Sequence, residues 1–241
     1  MRALIVGRGR AGKRHERILR KLGISVATVD PVEEATFKRL EDALDHPWDI
    51  GVVATPPKYH LEISLVLLRA GMRVMCEKPL CALYQPLPSS EEELADLKVA
   101  FNWRFHPLLR ERVRGNRALI SIQQRESLPP WGLLLDHVSH DVDILGPFLP
   151  VNAEEEEYGW RVWGVDEEGN SVMILDYAYP YPVRRETWVI GRDGARELVP
   201  FELMFTDMWV AFLRDDPRVA TFEEALEVQR ILERIYEAKR R

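Results

Sequence analysis

Ala3-Leu4-Ile5-Val6-Gly7-Arg8-Gly9-Arg10-Ala11-Gly12-Lys13-Arg14-His15 is the stretch that decides the architecture of this chain. Its four leading apolar residues predict a strand buried on both faces, and the glycines then spell G-x-G-x-x-G where strand gives way to helix. The helix carries Ala11, His15, Leu19 and Leu22 on one stripe and ends at Gly23 as a C-cap. Residues 24–29 form the next strand, which stops at Asp30-Pro31, 18 positions after Gly12. In that setting Gly7 permits the tight turn, Gly9 lets a pyrophosphate approach the backbone, and Gly12 lets the helix lie close on the strand. The unpaired N–H groups of the first helical turn, at Arg10 and Ala11, then face phosphates together with the positive end of the helix. Asp30 can accept hydrogen bonds from both ribose hydroxyls and repels a 2′-phosphate, so NAD is the expected cofactor; Arg8 and Arg10 leave NADP open. The rival reading is a glycine turn that serves only strand-to-helix geometry.

The alternation continues outward from this motif. Residues 50–54 predict a strand closed by Thr55-Pro56-Pro57, and a helix runs from about Tyr59 to Gly71. Residues 73–76 and 99–102 predict further strands, the last reached through Pro86, Pro88 and an acidic helix near residues 90–96. Such a pattern is α/β: a doubly wound parallel Rossmann sheet of order 3-2-1-4-5-6 over residues 1–104. Residues 105–241 read differently, as a C-terminal α+β domain with an open, mostly antiparallel sheet. Strands are predicted at 119–123, 160–165, 171–179 and 186–190, with a helix at 133–145. Glu167-Glu168-Gly169-Asn170 and Gly191-Arg192-Asp193-Gly194 supply hairpin turns. The closing helix opens on Thr221 and Glu224, a capping box, and shows Val228, Ile231, Leu232 and Ile235 on one face. In 171–179 both faces are apolar, Met173, Leu175, Tyr177 and Tyr179 against Val172, Ile174 and Ala178. A face left uncovered by helices predicts a homodimer through this sheet.

Bulk properties remove other classes. A net charge of −6 over 241 residues, with acids and bases interleaved, argues against nucleic acid, and Lys239-Arg240-Arg241 reads as a solvated helix end. No apolar run approaches the ~20 residues of a membrane span, and the early motif leaves no room for a secretory leader. Two cysteines, Cys76 and Cys81, neither staple the chain nor form a metal site, so no metal is expected and the location is cytoplasmic.

Hydride exchange at a carbinol carbon needs a group that moves the hydroxyl proton and others that fix the oxygen. Leu135-Asp136-His137-Val138-Ser139-His140-Asp141-Val142-Asp143 offers both. On a regular helix Asp136, His140 and Asp143 share a face, and an imidazole exchanges protons near neutrality. His137 and Asp141 form a competing i, i+4 pair, and this segment alone does not choose between the two faces. Ordinary exposed pairs or a satisfied buried histidine are the bland alternatives. Glu77-Lys78-Pro79 follows a parallel strand, where ligands of open α/β sheets bind. There the Lys78 ammonium can stabilise charge on a substrate oxygen, or simply face solvent in a turn.

Taken in order, these motifs resemble the Gfo/Idh/MocA family of NAD(P)-dependent oxidoreductases. The similarity is carried by Gly7 to His15, by Thr55-Pro56-Pro57-Lys58-Tyr59-His60 and by Cys76-Glu77-Lys78-Pro79-Leu80. It continues through Asn102-Trp103-Arg104-Phe105-His106-Pro107, Asp136 to Asp143 and the closing helix. The resemblance implies His140 as general acid/base, Asp136 as its orienting partner and a substrate contact, and Lys78 as hydrogen-bond donor to the reacting oxygen. It implies that Pro56, Pro57, His60, Glu77 and Pro79 line the nicotinamide side, with Thr55 in the same motif, and that the Lys78-Pro79 bond is often cis. Arg104 is implied as a substrate contact or as a salt bridge between domains. A small sugar- or polyol-like substrate is inherited from the family. The chain departs from the family in a trimmed 82–90 segment, a trimmed second domain, and Pro129-Pro130-Trp131-Gly132 in place of a glycine-rich stretch. A non-catalytic dinucleotide-binding protein, and a reductase of a non-sugar carbonyl or imine using NADPH, are the rival functions.

Overall fold

The computed structural model describes residues 1–87, 91–109, 113–125, 131–184, 186–199 and 203–239; Pro88, Ser90, Pro129, Pro130, Arg240 and Arg241 lie outside them. Along the chain come β1 (Arg2–Val6), α1 (Arg10–Lys21), β2 (Ser25–Val29), α2 (Leu40–Leu44) and β3 (Ile50–Val53). Then follow α3 (His60–Arg69), β4 (Arg73–Cys76), β5 (Lys98–Val99) and β6 (Arg117–Gln124). A π-helical turn, Leu134–Val138, leads into α4 (Ser139–Leu145). The remainder is β7 (Leu149–Glu156), β8 (Gly159–Val165), β9 (Ser171–Tyr179), β10 (Glu186–Gly191), β11 (Gly194–Glu197), α5 (Leu203–Leu213), β12 (Ala220–Thr221) and α6 (Phe222–Ala238). Two compact units result: Met1–Phe101 with Phe205–Ala225, and Asn102–Met204 with Leu226–Arg241.

The first unit holds a sheet of order β2-β1-β3-β4-β5-β12. Its pairs are parallel except β5 with β12. Ala3, Leu4, Ile5, Val52, Val53 and Val74 are completely buried, as a sheet covered on both faces requires. The order departs from 3-2-1-4-5-6 at both edges: β12 adds an antiparallel strand beside β5, and the third strand is missing outside β2. Outside β2 only a single parallel bridge, Val29 to Phe37, stands where a third strand is expected. The polar segment after Asp30-Pro31 is too short for a crossover and touches the edge through Phe37 N–H to the Thr28 carbonyl (2.9 Å). The 99–102 strand is also shorter than expected. Phe101 N–H turns back to the Val99 carbonyl (2.9 Å), and Asn102–Phe105 winds as a 3-10 turn. The acidic stretch forms a 3-10 turn at Glu91–Leu94.

The sheet of the second unit has the order β11-β10-β6-β9-β8-β7, with β6 and β9 parallel and the other neighbours antiparallel. The two expected hairpin turns join β8 to β9 and β10 to β11. Among the elements of both units that the sequence reading did not anticipate, three show why. β7 is mostly exposed and acidic, so it lacks apolar alternation; β11 is four largely exposed residues; and α5 is apolar around most of its circumference, which hides a 3.6-residue period. On β9, Val172, Ile174, Asp176 and Ala178 are buried, while Met173, Leu175, Tyr177 and Tyr179 are half-buried. The capping box forms as expected: Thr221 N–H donates to Glu224 (3.1 Å) and Glu224 N–H to the Thr221 hydroxyl (3.3 Å). Val228, Ile231, Leu232 and Ile235 of α6 are buried. Among the described residues no helix is long and apolar enough to cross a membrane.

Candidate functional site

The turn between β1 and α1 is dictated sterically. Gly7 has φ +95°, and a Cβ there would stand 2.5 Å from the Ala54 carbonyl oxygen; a Cβ on Gly12 would stand 1.9 Å from that of Gly7. Gly9, at the N-terminus of α1, is different: an added Cβ meets nothing within 4 Å. The first helical bond runs from Lys13 N–H to the Gly9 carbonyl (3.0 Å), so the N–H groups of Arg10, Ala11 and Gly12 precede the intrahelical ladder. That combination of open space over exposed donors fits a pyrophosphate.

Asp30 caps the end of β2. Its carboxylate accepts from the backbone N–H groups of Arg8 (2.7 Å), Val32 (2.9 Å) and Glu33 (2.9 Å). Burial pushes its pKa up, but these three donors and Lys38 outweigh it and the net direction is down. An ionised carboxylate offers roughly four acceptor positions, so about one is left for a ribose hydroxyl rather than two. The Arg8 guanidinium, a candidate partner for a 2′-phosphate, bonds Glu16 (2.9 Å) and the Glu34 carbonyl (2.6 Å). Lys13 pairs with Glu33 at 2.7 Å.

Two loops follow β3 and β4, and His60 ties them together. Its Nε2 stands 2.8 Å from the Thr55 carbonyl oxygen and its Nδ1 2.8 Å from that of Pro79. Burial lowers the pKa of this ring. The Lys78-Pro79 bond is cis, as the resemblance implies. Beneath it lies a buried relay. The Trp209 indole N–H donates to His15 Nδ1 (2.9 Å), which places the ring proton on Nε2, and that nitrogen donates to Glu77 (2.9 Å). Burial pushes the Glu77 carboxyl up, yet the His15 bond and the charges of Arg14 and Lys78 bring it down to about 2. A folded-state pKa below the unfolded ~4.3 contributes stability that is complete above about pH 4.3 and disappears as pH falls toward 2. At most this amounts to about 3 kcal/mol. Urea unfolding between pH 7 and pH 2 should therefore show a loss in the wild type and a flatter profile, lower at pH 7, for His15→Ala. Superimposable profiles would contradict the assignment.

In the second unit the segment carrying Asp136 and His140 is not the regular helix that the spacing predicts. Leu134–Val138 is a π turn, with i to i+5 bonds, so Asp136 lies on a wider-wound turn than the α-helical spacing to His140 and Asp143 assumes. Asp136 pairs with Arg125. Asp143 is gripped by the Arg104 fork, Nε at 2.9 Å and a terminal nitrogen at 2.5 Å; both residues belong to this one unit. His140 is buried, its ring 6.4 Å from that of His137 in an edge-on arrangement. π turns concentrate at functional sites. The sequence reading missed Arg125 and Trp209, for which no spacing gave a signal. It also missed Asp176, whose signal was present: an acid on the otherwise apolar Val172, Ile174, Ala178 face of β9.

A cleft of about 730 Å³ in the first unit, lined by Arg69, Arg73, Lys98, Phe212 and Asp215, opens near the starts of β4 and β5 rather than their carboxyl ends. It is not where a doubly wound sheet binds its ligand.

Residues 1–100 match the oxidoreductase family Gfo/Idh/MocA, with an NAD-binding Rossmann fold. Over 204 residues the chain is 30% identical to inositol 2-dehydrogenase of Leifsonia xyli subsp. xyli, covering 67% of this chain and 58% of that relative, less than two thirds of its length. Among solved structures the chain is similar to scyllo-inositol dehydrogenase from Lactobacillus casei with bound NAD(H) and scyllo-inositol. The TM-score is 0.81 at 18% identity, over 99% of this chain and 96% of that one. The WlbA dehydrogenase from Thermus thermophilus, in complex with NAD and alpha-ketoglutarate, gives 0.77 at 19% identity, over 98% and 94%. At these identities the likeness shows the fold. Residues 1–100 thus carry the NAD-binding Rossmann fold that the Gfo/Idh/MocA oxidoreductase family model describes.

Proposed function

We propose that this chain is an NAD-dependent dehydrogenase that moves a hydride to or from a carbinol carbon of a small polyol- or sugar-like substrate. The observation that supports it most is the cradle: Gly7 and Gly12 where no Cβ fits, open space at Gly9, and Asp30 held ionised at the end of β2. When bound, the nicotinamide supplies the hydride acceptor or donor. The chain's own residues do the rest. Arg10, Ala11 and Gly12 present backbone donors to the pyrophosphate, and Asp30 takes a ribose hydroxyl. Thr55, Pro56, Pro57, His60 and Glu77 border the nicotinamide side. Lys78 donates to the reacting oxygen, His140 moves its proton, Asp136 orients His140, and Arg104 is a further substrate contact. The likeness to an inositol 2-dehydrogenase supports a cyclic polyol as substrate class.

Cofactor choice is the first test. Asp30 repels a 2′-phosphate, and Arg8, engaged by Glu16, does not offset it. Thermal-shift titration should show NAD(H) bound at least about tenfold more tightly than NADP(H), ~1.4 kcal/mol, with the gap closing in Asp30→Ala. Equal affinities in the wild type would count against the reading. We further propose a homodimer through the β9 sheet, where Met173, Leu175, Tyr177 and Tyr179 stay half-buried. Light scattering at micromolar concentration should give twice the chain mass; a monomer contradicts it. Cys76 and Cys81 are buried thiols rather than a disulfide, in keeping with a reducing cytoplasm.

A further inference from the structure

Asp176 is the least expected side chain in the second unit. It sits on β9 with 0% exposure, opposite Trp160 of β8 and Ser121 of β6, on a face otherwise built from Val172, Ile174 and Ala178. Among the described residues, neither of its oxygens accepts a hydrogen bond. A carboxylate in such surroundings is strongly unfavourable unless it is paired or holds a metal. The groups facing it come from the π turn and α4. His137 Nδ1 lies 3.2 Å from Asp176 Oδ2, yet is not aligned to hydrogen-bond with it. Asp141, 2% exposed, completes a trio whose ligand atoms all fall within 4.8 Å of one another.

We propose that His137, Asp141 and Asp176 form a buried site for one divalent transition-metal cation, of the zinc or manganese class. Three features converge on this. One imidazole and two carboxylates are a donor set that such ions accept. The charge balances: two carboxylates and a neutral imidazole take up a dication without residue, whereas two buried carboxylates without one repel each other. The spacing is right as well. Ligands at ~2.0–2.2 Å from one ion stand no more than about 4.3 Å apart, so the 3.2 Å pair is already at ligand distance and the widest separation exceeds the limit by at most ~0.5 Å. The ion stitches the π turn and α4 to the central strand β9, a structural role that stands whether or not the dehydrogenase reading holds.

The segment lacks an H-E-x-x-H or similar ligand spacing, and its i, i+4 pair of His137 and Asp141 needs a third donor. Asp176, 35 residues beyond Asp141, supplies it through the fold.

The test uses the full chain, stripped with a chelator and dialysed, then titrated with zinc chloride or manganese chloride alone. Calorimetry should show one equivalent bound by one of the two, and elemental analysis of undialysed protein about one ion per chain. The unfolding midpoint should rise by about 5–10 °C at a hundred times the dissociation constant. Asp176→Asn and His137→Ala should each weaken binding by at least about 100-fold. No midpoint shift with either ion in the wild type overturns the proposal, and that measurement stands even if the variants do not fold. Stoichiometric binding that survives both substitutions also overturns it, since the ion then sits on surface groups. Activity is not the readout, so failure of the metal site and failure of the dehydrogenase reading are distinguishable.

Discussion

Replacing His140 with alanine is expected to lower turnover by about 10²- to 10⁴-fold and to leave NAD affinity unchanged. The loss follows from the proposed role: removing the imidazole takes away the group that moves the hydroxyl proton, while the dinucleotide cradle lies in β1, α1 and β2. Lys78→Ala should cost a similar factor through the reacting oxygen, and Lys78→Arg should not restore it, because a planar fork does not replace a compact ammonium. Steady-state absorbance for turnover and NADH fluorescence for affinity separate the two effects. Unaltered turnover in both alanine variants would remove these residues from the chemistry.

Gly12→Ala should have the largest effect on the cradle itself. In ordinary positions a Gly-to-Ala change gains ~0.4–1 kcal/mol by restricting the unfolded chain. Here the new Cβ would lie 1.9 Å from the Gly7 carbonyl oxygen, and that clash is backbone against backbone. Overpacking of this kind costs about 1–3 kcal/mol, so the sign reverses. The midpoint should fall by several degrees and NAD binding should be lost as α1 is pushed off the turn. Gly9→Ala is the matched control. Its Cβ meets nothing in the protein and its φ of −68° suits any residue, so stability should hold while pyrophosphate approach is blocked. If Gly12→Ala binds NAD normally, or Gly9→Ala is as unstable as Gly12→Ala, the cradle is misassigned.

The difference between these two glycines explains why the first unit was legible. Close contact forces Gly7 and Gly12, so their spacing, read with the apolar run before it and Asp30 after it, announces a strand, a turn and a helix. The second unit hides its logic. A reading of 3.6 residues per turn cannot foresee a π turn, because that geometry leaves no mark in hydrophobic periodicity. The spacing of Asp136, His140 and Asp143 therefore gave no hint that Asp136 sits on a π turn and pairs with Arg125, or that Asp143 pairs with Arg104. The partners of buried polar groups are equally distant in sequence: Trp209 is 194 positions from the histidine it fixes. The missing third strand position beside β2 has a simpler cause, a linker after Asp30-Pro31 with no apolar run to bury.

The most direct measurement is absorbance at 340 nm on mixing the protein with NAD and, in turn, myo-inositol, scyllo-inositol and a panel of related polyols and sugars. Time-dependent growth of the NADH band with at least one of them, absent in His140→Ala and Lys78→Ala, is the predicted result. Saturable NAD binding with a flat trace for every substrate would contradict the account and leave a dinucleotide-binding protein without hydride chemistry.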